Sequence, residues 1–352
     1  MVPFRHAAKT GPNASVRALS WKLRNPPEAA FGATRGDEMA AVRDSNEMTD
    51  ETPRPGYEPF PVNLRKKTWL NQVDGRLRRK LPRPAYESML AGYHGLRRVT
   101  RRNPGRGRML PDFVIIGAAK AGTTSLYAWL CEHPDVVRAR AKEIHYFSWF
   151  HYRGEDWYRH FFPLERERSL YRAEHGRPFI TGEASPSYML DADAPTRMAA
   201  LVPQAKLIVQ LRNPVDRAYS QFQMRRRDDE ESIESFLGAV EAERAQVGPP
   251  ITRTYVARGL YAEQLERWLA VFPREQLHVL AMEDLATDPQ GVLDRVHEFL
   301  GIAPRRAEEL EARYTAKYDP MAAEERAQLT EYFRPHNERL YELLGRDFGW
   351  ER

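Results

Sequence analysis

Three groups of residues have the types and spacings needed for chemistry on an anion. The first is residues 113–126, FVIIGAAKAGTTSL. An apolar run ends in Gly117, and Ala118, Ala119, Lys120, Ala121 and Gly122 lead into Thr123, Thr124 and Ser125. Small residues let a backbone wrap closely around an anion, so N–H groups of the loop and the first helical turn face it. Lys120 adds a full charge and the three hydroxyls add donors. The second group is residues 211–224, LRNPVDRAYSQFQM, where Arg212 closes an apolar run and Ser220 falls about two helical turns beyond it. A guanidinium fork with a hydroxyl makes a clamp for a second phosphate. Taken separately, Arg212 serves equally as a structural ion-pair partner and Ser220 as helix surface. The third group is residues 142–147, KEIHYF, where Glu143 and His145 can each take a proton from an attacking hydroxyl. In an extended segment residues i and i+2 share a face, which delivers both side chains to one pocket. The plainer alternatives are a surface ion pair of Glu143 with Lys142 or Arg140, and a structural His145.

The glycine loop departs from the ATP-binding P-loop. In G-x-x-x-x-G-K-[ST] the Lys follows the second Gly, and the next hydroxyl holds magnesium. Here Lys120 precedes Gly122, and residues 206–211 run into Arg212 where an NTPase carries a magnesium-binding Asp. A cation in place of a metal ligand predicts a phosphate-rich nucleotide bound without metal. Cys131 is the single cysteine, so no intrachain disulfide and no cysteine-based zinc cluster can form. No stretch reaches the ~18 apolar residues of a spanning helix, and residues 1–30 lack an apolar signal core. The expectation is a soluble protein of a reducing, cytoplasmic compartment.

These residues need elements to hold them. Buried-strand candidates are residues 112–117 (DFVIIG), 178–182, 206–212 (KLIVQLR) and 276–281 (QLHVLA), each a short apolar run rich in β-branched residues or leucine. Helical patterns cover 125–131, 194–201, 214–227, 233–246, 261–271, 290–300, 322–333 and 337–344. Strands separated by helices predict an α/β fold, a P-loop-like parallel β-sheet flanked by helices on both faces. Arg212 then emerges at the carboxyl end of a strand, where open α/β sheets place their ligands.

Charge divides the chain into three parts. Residues 1–64 hold eight basic and eight acidic side chains with many Pro and Gly, a composition that predicts disorder. Residues 65–108 hold fourteen Lys/Arg against only Asp74 and Glu87, and the spacing over 86–102 allows a short amphipathic helix. The remaining residues, 109–352, hold 32 basic and 39 acidic side chains, a net of −7, although the whole chain is +5. The basic surplus belongs to the segment before the folded domain. It reads as a solvated arm, weakly attracted to anionic surfaces, with a nucleic-acid- or membrane-binding module as the rival function.

The order of motifs is specific. KAGTTSL, KEIHYF, GEASPSY (182–188), LRNPVDRAYSQF and YFRPHNERLYELLGRDFGW (332–350) together resemble the sulfotransferases that use 3′-phosphoadenosine 5′-phosphosulfate (PAPS), in the branch of the heparan sulfate sulfotransferases and their bacterial relatives. The resemblance covers residues 109–352. It implies that Lys120, Ala121, Gly122, Thr123, Thr124 and Ser125 form the 5′-phosphosulfate loop, that Arg212 and Ser220 hold the 3′-phosphate, and that Lys317 contacts the nucleotide. Glu143 matches the position of the catalytic carboxylate, with His145 as the rival base and Lys120 as electrostatic catalyst. Glu183, Ser185 and Tyr188 are expected to line the acceptor pocket. Where the heparan branch often has a Lys after that Glu, this chain has Ala184. The implied activity is sulfuryl transfer from PAPS, without metal, to a hydroxyl, or less readily an amine, of a carbohydrate or glycosylated metabolite in a bacterial cytoplasm. The enzyme-class rival is a P-loop-type small-molecule kinase.

Overall fold

A computed structural model describes residues 105–245, 254–306 and 318–351. The expectations for 1–64, for the amphipathic helix over 86–102 and for Lys317 lie outside those residues. Five strands form one parallel sheet: β1 (Phe113–Gly117), β2 (Val136–Arg138), β3 (Ile180–Ala184), β4 (Lys206–Leu211) and β5 (Leu277–Ala281), in the spatial order β2-β3-β1-β4-β5. Among the described residues ten α-helices connect and cover them: α1 (Thr123–Leu130), α2 (Glu155–Arg159), α3 (Glu165–His175), α4 (Ala194–Leu201), α5 (Pro214–Arg227), α6 (Phe236–Arg244), α7 (Tyr261–Leu269), α8 (Met282–Thr287), α9 (Pro289–Leu300) and α10 (Ala323–Leu344). This is the predicted P-loop-like α/β class.

The alternation along β1 shows why both faces need helices. Val114 and Ile116 join an apolar cluster with Leu207, Val209, Met198 and Trp268, whereas Phe113 and Ile115 join one with Ile208, Leu126, Leu130 and Val296. The β1 strand is therefore apolar on both sides, as a central parallel strand must be. From β1 the chain leads through α1 towards β2 and β3, and from β4 it leads the other way to β5. The carboxyl ends of β1 and β4 thus flank a topological switch point, where a crevice opens above an α/β sheet.

Several elements differ from the sequence expectation, which did not include the helices α2, α3 and α8. The strand β2 is three residues long, VVR, and pairs only with β3 at the sheet edge, so it carries no run long enough to stand out. At the other end, 322–333 and 337–344 form the single helix α10, which continues through Pro335. Leu329, Phe333, Asn337 and Leu340 line its buried side, with Leu329 and Phe333 in the cluster around Val215 and Leu340 in the main core. Pro335 and Glu331, the donor-less residue and the carbonyl that loses its bond, are both exposed to water. Burial of Phe333 and Leu340, about 1.5–3 kcal/mol each, offsets the helix penalty of about 3 kcal/mol for an interior proline. No helix among the described residues is long and apolar enough to cross a membrane.

Candidate active site

The loop after β1 carries the first cluster. Gly122 caps α1 at φ 85°, a left-handed conformation that favours glycine. A Cβ there would also stand 3.0 Å from Gln210 Nε2. Lys120 is left-handed too, at φ 71°, and its Nζ lies 3.4 Å from Met224 Sδ on α5. No carboxylate lies within ion-pairing distance of Lys120 among the described residues. Burial, with the charges of Arg227 and Arg212 nearby, lowers its pKa. Thr123 and Ser125 are buried in the first turn of α1 and Thr124 is half-buried.

The loop after β4 meets this one directly. Arg212 Nη1 donates to the Lys120 carbonyl at 3.1 Å, so the two predicted clamps are in contact. The Arg212 turn is braced from three directions. Its carbonyl accepts from Tyr261 Oη at 2.8 Å, and Asn213 N donates to Glu283 Oε1 at 2.8 Å. Asn213 Nδ2 donates to the Trp350 carbonyl at 3.2 Å while its Oδ1 caps α5 by accepting from Val215 N. Ser220 lies buried in the second turn of α5. The C-terminal motif thus acts by fixing the Arg212 turn, a role that its sequence alone did not disclose.

The KEIHYF segment is not extended. Glu143 and His145 have φ of 59° and 53°, both left-handed, so the i, i+2 reasoning fails. The two side chains nevertheless meet, because the backbone coils instead of alternating: Glu143 Oε2 lies 3.7 Å from His145 Nε2. Glu143 Oε1 accepts from Lys142 Nζ at 2.6 Å, and the carboxylate side chain is 50% exposed. The nearby His145 imidazole, reinforced by Lys142, lowers the Glu143 pKa to about 2 against an opposing effect of burial. On its other side, His145 Nδ1 shares a 2.7 Å hydrogen bond with Ser187 Oγ, and its ring stacks on Trp149 at 4.0 Å.

A buried carboxylate holds this coil in place. Glu183, fully buried on β3, accepts from Tyr158 Oη (2.7 Å), Tyr188 Oη (2.9 Å) and Ser185 Oγ (2.6 Å). Two of those hydroxyls also accept from the coil: Ser185 Oγ from His145 N at 3.0 Å and Tyr188 Oη from Tyr146 N at 2.8 Å. Burial raises the Glu183 pKa. Left-handed non-glycine residues cost of order 1–3 kcal/mol each and persist where the surroundings over-determine them. Glu183 and its hydroxyls do that here. Glu183, Ser185 and Tyr188 were expected to line the acceptor pocket; all three are fully buried and instead support the residues that face outwards. Tyr158 belongs to this support, whereas Ser187 and Trp149, which orient His145, carry no distinguishing mark in the sequence.

A parallel sheet with a small-residue loop at its first strand, and a cation in the metal-ligand position at the switch point, defines a P-loop-like phosphate-binding domain. Residues 110–340 match the model of the sulfotransferase domain, and the chain belongs to that family. It is 34% identical over 270 residues to heparan sulfate glucosamine 3-O-sulfotransferase 3A1 of Mus musculus, with 69% of this chain and 65% of that protein covered. It is 35% identical over 275 residues to heparan sulfate glucosamine 3-O-sulfotransferase 6 of Homo sapiens, covering 70% of this chain and 75% of that one. Among solved structures, a sulfotransferase from Alicyclobacillus acidocaldarius superposes with a TM-score of 0.56 at 33% identity, covering 69% of this chain and all of that one. The chain spans slightly less than two thirds of the length of the mouse 3A1 protein.

Proposed function

We propose that the protein transfers a sulfuryl group from PAPS to a carbohydrate hydroxyl. The observation that carries this reading is the contact between two loops whose cations, Lys120 and Arg212, have no carboxylate partner among the described residues at the β1/β4 switch point. Family membership supports it, and the names of the relatives support a carbohydrate acceptor. The loop from Lys120 to Ser125 holds the 5′-phosphosulfate, and Arg212 with Ser220 holds the 3′-phosphate. The acceptor oxygen attacks sulfur in line with the bond from sulfur to the bridging phosphate oxygen. That bond breaks, and its electron pair stays on the 5′-phosphate. Lys120 neutralises the charge that grows there. The products are a sulfate ester and adenosine 3′,5′-bisphosphate.

Glu143 takes the acceptor proton. A carboxylate whose pKa lies near 2 is a weak acceptor of protons from a neutral alcohol. Transfer to it therefore comes late, after the new oxygen–sulfur bond has made the hydroxyl acidic. His145 Nε2 stands 3.7 Å from the other carboxylate oxygen and is itself fixed by Ser187 and Trp149. The acceptor is a carbohydrate or glycosylated metabolite; the net charge of −7 after residue 108 argues against a long polyanion unless the basic residues 65–108 supply the compensating charge. Calorimetry tests the reading: adenosine 3′,5′-bisphosphate binds without added metal. Absence of that binding, together with tight binding of ATP and magnesium, would return the chain to the kinase class. A transfer screen with labelled PAPS across glycans, glycolipids and phenols identifies the acceptor.

A further inference from the structure

The β4 strand carries a polar residue that the site described so far does not use. Gln210 is fully buried, and neither its Nε2 nor its Oε1 has a hydrogen-bond partner among the described residues. Every other residue of β4 beyond Lys206 is apolar: Leu207, Ile208, Val209 and Leu211. Side chains alternate along a strand, so Gln210 shares a face with Ile208 below it and Arg212 above it. Ile208 packs with Leu126 and Leu130 of α1, which identifies that face as the one covered by the helix behind the phosphate loop. The carboxamide therefore lies one layer beneath the Arg212 guanidinium, against the start of α1. Its Nε2 is 3.0 Å from where a Cβ of Gly122 would stand, so the absence of a side chain at the cap of α1 leaves the amide facing the loop. The Gln210 carbonyl also accepts from Ala118 N at 2.7 Å, which ties the same residue to the first turn of that loop.

A buried amide with both ends unpaired lowers stability, and a leucine or methionine in the same space would not. Such a group is retained where something else supplies its partner. We propose that Gln210 is a third ligand of the anion held at the start of α1, donating from Nε2 to an oxygen of the 5′-phosphosulfate when nucleotide binds. The assignment rests on the sulfotransferase reading for the identity of that anion. Lys120 and Arg212 supply charge to the two ends of the nucleotide. Gln210 supplies a neutral, directional donor from below, fixed by a strand and not by a flexible side chain. Its selectivity is for the 5′ group, because it lies on the α1 side of the Arg212 layer.

The test compares Gln210→Met and Gln210→Leu with wild type in two measurements. Without nucleotide, both variants melt about 2–6 °C higher, because an unpaired buried amide has been replaced by an apolar side chain of similar size. In calorimetry both bind adenosine 3′,5′-bisphosphate about tenfold more weakly, the loss of one hydrogen bond to a charged group. Their affinity for 3′-AMP, which lacks the 5′-phosphate, stays at the wild-type value. Unchanged affinity for the bisphosphate overturns the proposal, as does an equal loss for 3′-AMP, which would mean a general distortion of the site. A lower melting temperature in both variants overturns it too, because the amide would then be satisfied in the free protein. Wild-type protein that ignores the bisphosphate overturns the sulfotransferase reading itself, and this assignment with it.

Discussion

The two sides of the candidate site are built on opposite principles. On the proposed nucleotide side, Lys120 and Arg212 have no carboxylate partner and the Gln210 side chain has no hydrogen-bond partner among the described residues. On the acceptor side the pairing is dense: Glu143 with Lys142 and His145, His145 with Ser187, and Glu183 with three hydroxyls. The first side stores unpaired donors that an anionic ligand completes. The second is paired before any ligand arrives and holds Glu143, the proposed base, in fixed geometry. Preorganisation of this second kind lowers a barrier because nothing has to reorganise during reaction, whereas unpaired donors on the first side turn their cost into affinity.

Perturbing each side should separate binding from chemistry. The largest effect is expected from Glu143→Gln, which keeps the wild-type affinity for adenosine 3′,5′-bisphosphate while turnover falls by about 10²–10⁴. Turnover near wild type would transfer the base to His145. Next is Lys120→Ala, which lowers turnover by about 10²–10³ and weakens bisphosphate binding as well, since Lys120 serves both ground state and transition state. An effect on turnover with no loss of affinity would erase the distinction between the two sides. Tyr158→Phe removes one of the three donors to Glu183 and is expected to cost about 1–3 kcal/mol in denaturant unfolding, with nucleotide affinity unchanged.

A pH effect of similar size sets the site against its scaffold. Burial pushes His278 and His297 down to about 4, helped by Arg295 and Arg274 for the first and by the neighbouring His133 for the second. In the unfolded chain both titrate near 6.5. The unfolded state therefore binds more protons between those values, and the stability present above pH ~6.5 is lost as pH falls towards ~4. Glu143 keeps its charge throughout that window. Unfolding measured at pH 7 and pH 5 should show lower stability at pH 5, and His297→Gln should flatten part of that slope. A slope untouched by the substitution would place the acid sensitivity elsewhere.

The sequence was most legible where composition is driven by a face or a period. The strand β4 and the helix α5 follow from KLIVQL and from Asn213-Pro214, because a buried parallel strand must be apolar and a cap followed by proline starts a helix. That the Lys120 and Arg212 loops adjoin was legible because both follow the carboxyl ends of buried parallel strands, where open α/β sheets gather their loops. The left-handed turns at Glu143 and His145 were not, since the cause lies about forty residues away, at Glu183, Ser185 and Tyr188. Pro335 misled for a related reason. Its local rule is real, but the core contacts of Phe333 and Leu340 outweigh it. Gln210 looks like an ordinary residue in a strand until its burial and its missing partners are seen together.

The brace on the Arg212 turn has a consequence for how the protein is made. Asn213 is fixed by a carbonyl 137 residues further along the chain, at Trp350. At ribosomal speeds of about 5–20 residues per second, that interval lasts about 7–27 s. All five strands can emerge while the Arg212 turn still lacks this support. The Arg212 turn thus gains this brace only after the strands and the helix it joins have been synthesised.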